Sequence, residues 1–498
     1  MPKLKSNIVF NFLGSAWLGM LTLAVIPIQV HFLGVEAFGF IGIITILQVL
    51  LGSLDLGISA TVTKVISSDH SDQHSASANA VNTASSAYWV IALLILALLW
   101  SNSEKVAVLW LSRTHLDPTT VTLGIQIIAV YLGLRWPVAF YSGVISGLQR
   151  LDVLNVVKVG VQTLRLVGGV VVLFYVPDLV AFLVWFAISS AIELLFYAVL
   201  AYRLFPALRL TPYFSLAALR NIWKYSAAMN IIALTSLVLS QADRLAVTKF
   251  LSLEALGYYS IAYNASIVIS LVQTAINSAT FPAYSHSFSS GQHTDLMSRY
   301  SKANQLMGSV VALPCFALVF FGYEILQFWI NTNVANEASL PMAWLAIGFF
   351  LNALVSNAYM AAVACGQPNL PLKINLMALV LYVPSLFWLL EHYGISGAAG
   401  AYAGLNAYYL VTLMPLVQVK ILKQGIGIWL RANLLPFVLI GVGAFGSAKI
   451  LALAVQSGWQ TMAALVLGVM LYAVAAWFSL SNALRVDISN MMKKVLPI

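Results

Sequence analysis

About 20 consecutive apolar residues are needed for a helix to cross the hydrocarbon core of a bilayer, and this chain supplies such a stretch fourteen times. The stretches are 8–30, 40–60, 81–101, 120–142, 156–176, 179–202, 222–248, 257–281, 302–323, 340–364, 370–390, 395–418, 433–454 and 459–480. Only 8% of the 498 residues are charged, against about 25% in soluble globular chains. The chain is therefore expected to be an all-α polytopic membrane protein of about 14 transmembrane helices. Its start, MPKLKSNIVF, has the basic and apolar wording of a signal peptide. The apolar run reaches Val30 and leads straight into another stretch, so it is expected to stay as the first helix.

Lysine and arginine are retained on the cytoplasmic side of short loops. With the N-terminus inside, eighteen of the 25 fall in cytoplasmic segments, among them Lys3, Lys5, Arg203, Arg209, Lys420 and Lys493. Four (Lys105, Arg113, Lys249 and Lys449) fall on the other side, and Arg135, Arg165 and Arg244 fall inside stretches. Both termini are thus expected in the cytoplasm, and the net charge of +9 reads as a topology signal with no nucleic-acid partner. The longest connections, 61–80, 203–221 and 284–301, are expected to be polar cytoplasmic loops. No GxxxxGK[ST] phosphate loop occurs, which argues against ATP hydrolysis by this chain.

The sequence repeats itself. Residues 31–43, HFLGVEAFGFIGI, share six of thirteen positions with residues 249–261, KFLSLEALGYYSI, at an offset of 218. Six stretches separate the copies, an even number, so both point the same way through the membrane, as in a parallel repeat. We read 1–205 as an N-terminal six-helix bundle, 206–420 as a C-terminal six-helix bundle, and 421–498 as two additional helices and a cytoplasmic tail. Gly39 and Gly257 are expected to make a tight turn in each copy. Pro27, Pro137, Pro314, Pro384, Pro415 and Pro436 interrupt stretches, where proline favours a kink.

Six charged residues lie inside stretches: Asp55, Arg135, Arg165, Glu193, Asp243 and Arg244. Each costs about 2.5–3.5 kcal/mol at a helix centre, so such groups face protein or water. Asp55 shares a helical face with Gln48, Gly52 and Ser59, and Glu193 shares one with Ser189 and Tyr197. Two readings stand side by side. The charges line a wet cavity, or acids and bases simply pair, for example Arg165 with Glu193. Asp243 and Arg244 are adjacent and point about 100° apart, so at most one can face a given cavity. Arg135 follows Tyr131 by one turn and precedes Trp136, a setting suited to a sugar joined to a diphosphate. Guanidinium grips phosphate oxygens in a planar fork.

Several phrases resemble one family: NFLGSAWLG at the start, LGVEAFGFIGI, SLDLGIS, DRLAVTKFLSLEALGYYSIAYNAS, FPAYS and HYGISGAAGAYAG. In this order they are similar to the polysaccharide-export, O-antigen or Wzx-type flippases of lipid-linked oligosaccharides. These sit in the superfamily that also holds the multidrug and toxin extrusion exporters. The resemblance covers about 1–420, and the glycine- and arginine-rich second span of the related lipid II flippases is absent. It implies transfer of an undecaprenyl-diphosphate-linked oligosaccharide, an O-antigen or exopolysaccharide repeat unit. Transfer would run from the cytoplasmic to the periplasmic leaflet of a bacterial inner membrane by alternating access through a cationic cavity. The family's cavity-lining basic residues map by role onto Arg135 and Arg165, with Trp136 and Tyr131 beside them.

Coupling or gating is assigned to Asp55, Glu193, Asp243 and Arg244. No cofactor is expected beyond a coupling proton or sodium ion. Expected partners are the lipid-linked substrate, the bilayer, and a polysaccharide polymerase with chain-length machinery. The alternative is an ion-coupled multidrug or cation antiporter of the same superfamily. An embedded polymerase or ligase would need a large external loop, and 102–119 and 324–339 are short, so no enzyme is expected.

Overall fold

The computed structural model describes residues 2–55, 57–67, 74–111, 113–216, 235–455 and 458–495, and every regular element among them is helical. The chain divides into two compact units, Met1–Gly257 and Tyr258–Ile498. The first holds α1 (Pro2–Leu54), α2 (Ile58–Ser67), α3 (His74–Ser101), α4 (Ser103–Trp110), α5 (Pro118–Gly147), α6 (Leu151–Tyr175), α7 (Leu179–Leu204) and α8, described over 235–250. α9 (Leu253–Ser266) leads into the second, which holds α10 (Val268–Ser289), α11 (His293–Trp329), α12 (Thr332–Ala364), α13 (Asn369–Lys420), α14 (Ile426–Trp429), a π turn (Leu430–Leu434), α15 (Leu435–Val455), α16 (Gly458–Ser479) and α17 (Asn482–Val495).

Among the described residues ten helices are long and apolar enough to span a bilayer, and the pair α9–α10, bent by 41°, makes an eleventh if it is one span. Two of the ten each cover two of the expected stretches. α1 breaks at Gly34 (φ 82) and α13 at Gly394 (φ 57), left-handed conformations that cost glycine little. Of the expected stretch 222–248, residues 222–234 lie outside the described residues, and 235–248 is helical.

The prolines do not set the breaks. Pro27, Pro384 and Pro415 sit in helical backbone, while the non-helical residue of α11 is Phe321, one to two turns beyond Pro314. Proline fixes φ near the helical value and removes one hydrogen bond, so it bends a helix without forcing a residue out of it. The long loops also shrink. Ile58–Ser67 is a helix with Ile58, Thr61, Val62 and Ile66 buried along one side, and α3 begins at His74. α10 and α11 are separated by only three residues, 290–292. Among the described residues the longest irregular run is 205–215, held along α3 by polar side chains. The Asn82 amide donates to Ala207 O (3.0 Å) and accepts from Arg209 N (2.7 Å), and Ser86 Oγ accepts from Tyr213 N (2.8 Å).

The repeat is visible in the helix breaks. The α6–α7 joint begins at Val176 and the break in α13 is at Gly394, and the break at Gly34 matches Ser252 between α8 and α9, both at the offset of 218. α5 and α12 end in the same cap: Arg150 N bonds Ile145 O and Gln367 N bonds Ala362 O, past left-handed Gln149 (φ 57) and Gly366 (φ 73).

Gly39 and Gly257 do not make turns. Both lie inside helices, and a Cβ on Gly39 would stand 2.1 Å from Leu253 O, while one on Gly257 would stand 2.1 Å from Val35 O. Residues 35 and 39 pair with 253 and 257 reciprocally, at positions that the offset of 218 makes equivalent. What these positions need is absence of a side chain where two helices touch through their backbones. In the second unit α15 and α16 pack on α11: Tyr472 OH donates to Ser309 O (2.8 Å), and Lys449 pairs with Glu324. The sequence places Glu324 in the expected loop 324–339, whereas α11 runs six residues past 323, to Trp329.

Candidate functional site

Three helices of the first unit each present one polar face at intervals of three or four residues, the spacing that brings side chains together on a helix. α5 carries Tyr131 and Arg135, α6 carries Lys158, Gln162 and Arg165, and α7 carries Ser189, Glu193 and Tyr197. The faces converge on one carboxylate oxygen. Arg135 Nη1 lies 2.7 Å and Arg165 Nη2 2.5 Å from Glu193 Oε2. Tyr131 underlies both cations, with guanidinium carbons 6.0 Å (Arg135) and 5.5 Å (Arg165) from its ring centre.

The two arginines differ in what remains of their forks. The Arg165 side chain is 3% exposed. It donates from Nε to Ser189 Oγ (2.8 Å) and from Nη1 to Gln162 Oε1 (3.3 Å), besides the Glu193 bond. Its backbone oxygen accepts from Trp185 Nε1 (2.9 Å), tying α6 to α7. Arg135 is 28% exposed and lines a cavity of about 470 Å³ together with Glu193, Trp136, Tyr197, Lys158, Gln162, Gln48 and Gly52 from α1, and Asp55 just beyond its end. Arg165 and Tyr131 stand behind that lining. Arg165 alone can neutralise Glu193, which leaves the charge of Arg135 available on the cavity side.

Asp55 does not sit within a continuous helix. The helix ends at Leu54, Gly57 adopts φ 71, and Asp55 instead caps α2, accepting from Ser59 N (3.2 Å) and Ser59 Oγ while Tyr88 OH donates to its other oxygen. Asp243 and Arg244 lie on α8, and both are buried. Arg244 donates to Gln241 Oε1, and neither residue lines the cavity. Burial of both is compatible with their 100° separation because residues 241–248 of α8 are all buried or half-buried.

Lys158, Gln162 and Tyr88 were not singled out from the sequence. Lys158 and Gln162 could have been, since they lie seven and three residues before Arg165 on the same face. Tyr88 bears no charge and precedes no motif, so nothing marked it.

The fold and this site place the chain among known proteins. A family described as "Polysaccharide biosynthesis protein" matches residues 4–288, and the chain belongs to that family. It is 22% identical over 396 residues to a Shigella flexneri protein described as "Putative O-antigen transporter", spanning 79% of this chain and 92% of that one. Its fold is shared with the lipid II flippase MurJ in an inward closed conformation (TM-score 0.78, 12% identity, 95% of this chain and 98% of that one). It is shared too with an inward-facing multidrug transporter of the MATE family (TM-score 0.65, 12% identity, 82% and 95%).

Proposed function

We propose that the chain carries an undecaprenyl-diphosphate-linked oligosaccharide, an O-antigen or exopolysaccharide repeat unit, from the cytoplasmic to the periplasmic leaflet of a bacterial inner membrane. Both termini lie in the cytoplasm on this reading. The observation that carries it is the pair of guanidiniums on Glu193, one sealed and one facing the cavity. Family membership and the likeness to the Shigella flexneri protein support it.

The headgroup's charges and hydroxyls would lose water without replacement in hydrocarbon, and the cavity replaces that water. As the diphosphate arrives, Arg135 turns its fork from Glu193 to the phosphate oxygens, a planar match that forms charge-assisted bonds. Glu193 is not stranded by this exchange, because Arg165 stays on it. Lys158, exposed at the cavity wall, adds a second cation to the same anion. The polyprenyl tail remains in lipid. An interior-negative potential favours outward movement of anionic charge by about 2.3 kcal/mol per charge per 100 mV. Coupling through Asp55, Glu193 or Asp243 would show as dependence of transport on a proton or sodium gradient. The exported repeat then passes to a polymerase and its chain-length machinery.

The test is complementation of a deletion strain. Arg135→Glu is expected to reach the membrane at the wild-type level and to restore no surface polysaccharide. Full restoration by that variant, or drug sensitivity with intact polysaccharide in the deletion strain, would overturn the reading.

A further inference from the structure

The core of the second unit is polar without being charged. On α10, Gln273 Nε2 donates to Asn352 Oδ1 of α12 (3.0 Å), and Asn352 Nδ2 donates to Asn406 Oδ1 of α13 (2.7 Å). One turn along, Asn277 Nδ2 donates to Ser356 Oγ (3.0 Å). Three helices are thus joined by a ladder of side-chain amides and one hydroxyl. Rings flank the ladder from α9, α12 and α13: Phe349 of α12 lies 5.4 Å from Tyr263 of α9 and 5.2 Å from Tyr402 of α13, centre to centre.

Holding helices together does not account for this arrangement. Interhelical hydrogen bonds in membranes average only about 0.6 kcal/mol, while each amide costs desolvation to bury. The ladder also keeps hydrogen-bonding capacity that its own members do not use. Among the described residues Gln273 Oε1 has no hydrogen-bond partner, which leaves the ladder one free acceptor. The repeat sharpens the contrast. Gln273 and Asn277 stand 218 residues after Asp55 and Ser59, so the second copy places amides where the first places a carboxylate and its hydroxyl partner.

We propose that this ladder, Gln273, Asn277, Asn352, Ser356 and Asn406, binds the uncharged sugar part of the substrate. The inference rests on the flippase reading and deepens it. An amide donates and accepts within one side chain, which matches neighbouring sugar hydroxyls that must do both. No cation is needed where the ligand has no charge. Tyr263, Phe349 and Tyr402 supply apolar ring surface for the C–H faces of a pyranose. A site built to bond a hydroxyl also rejects ligands that lack it, because its own polar groups would then be left unpaired.

The experiment uses the full chain in lipid nanodiscs and two probes: undecaprenyl diphosphate, and the same lipid carrying the oligosaccharide repeat isolated from the source strain. The wild type is expected to bind the glycosylated probe more tightly. Asn352→Leu and Ser356→Ala are each expected to lower affinity for the glycosylated probe by about tenfold, the effect of one lost ligand hydrogen bond. Affinity for the bare lipid is expected to stay unchanged. Equal losses for both probes, or no loss for the glycosylated one, would overturn the sugar assignment. Should Asn352→Leu fail to fold, Ser356→Ala removes one hydroxyl and carries the same comparison. If the wild type binds neither probe, the flippase reading itself fails, which is a different outcome from failure of the sugar site.

Discussion

The helices α5, α6 and α7 of the first unit and α10, α12 and α13 of the second meet through opposite chemistries. The first uses full charges: two guanidiniums on one carboxylate oxygen, with a phenol ring beneath. The second uses amides that share hydrogens in sequence from Gln273 to Asn352 to Asn406. Both belong to one repeat, with joints that fall at the same offset, so a common backbone has been given two chemistries. The lesson is that fold and interior chemistry are separable here. Glycines and caps keep the repeat, while a few interior positions hold charged groups in one unit and neutral amides in the other.

The sharpest way to break the contrast is to strand a charge on one side and a neutral group on the other. Glu193→Leu leaves Arg165 buried and uncompensated, which costs about 3–5 kcal/mol, and thermal denaturation of purified protein should show the largest loss of the series. Gln273→Glu puts a carboxylate into the neutral ladder and is expected to cost about 2.5–3.5 kcal/mol, seen as poor insertion or low yield. Asn352→Leu removes an amide that both donates and accepts, at an expected cost of about 1–3 kcal/mol by the same denaturation measurement. Ser356→Ala should cost least, about 0.5–1.5 kcal/mol. If Asn352→Leu proved as damaging as Glu193→Leu, the division between a charged and a neutral core would lose its energetic basis.

Much of this was legible in the sequence where it carried charge or apolarity. Arg165 with Glu193 could be named as a pair because both stood out against apolar helices. That Arg135 takes the same oxygen could not, since the meeting of three helices depends on packing that spacing along one helix does not report. The ladder was invisible because asparagine and glutamine raise no alarm in an apolar stretch. Gly39 and Gly257 were found for the right reason, a repeat, and given the wrong task. A glycine needed for a turn and one needed for backbone contact read alike until the partner helix is in view. Asp55 was placed in a continuous helix because Gly57, which breaks it, is tolerated in many helices.

On the function proposed above, Arg135, freed by Arg165 from its duty to Glu193, meets the diphosphate. The measurement that bears on it most directly is the transbilayer transfer rate of lipid-linked oligosaccharide in proteoliposomes containing Arg135→Gln. Loss of a charge-assisted contact predicts a fall of roughly 10- to 100-fold, with thermal stability near the wild type because Arg165 still neutralises Glu193. A wild-type transfer rate in Arg135→Gln would contradict the account.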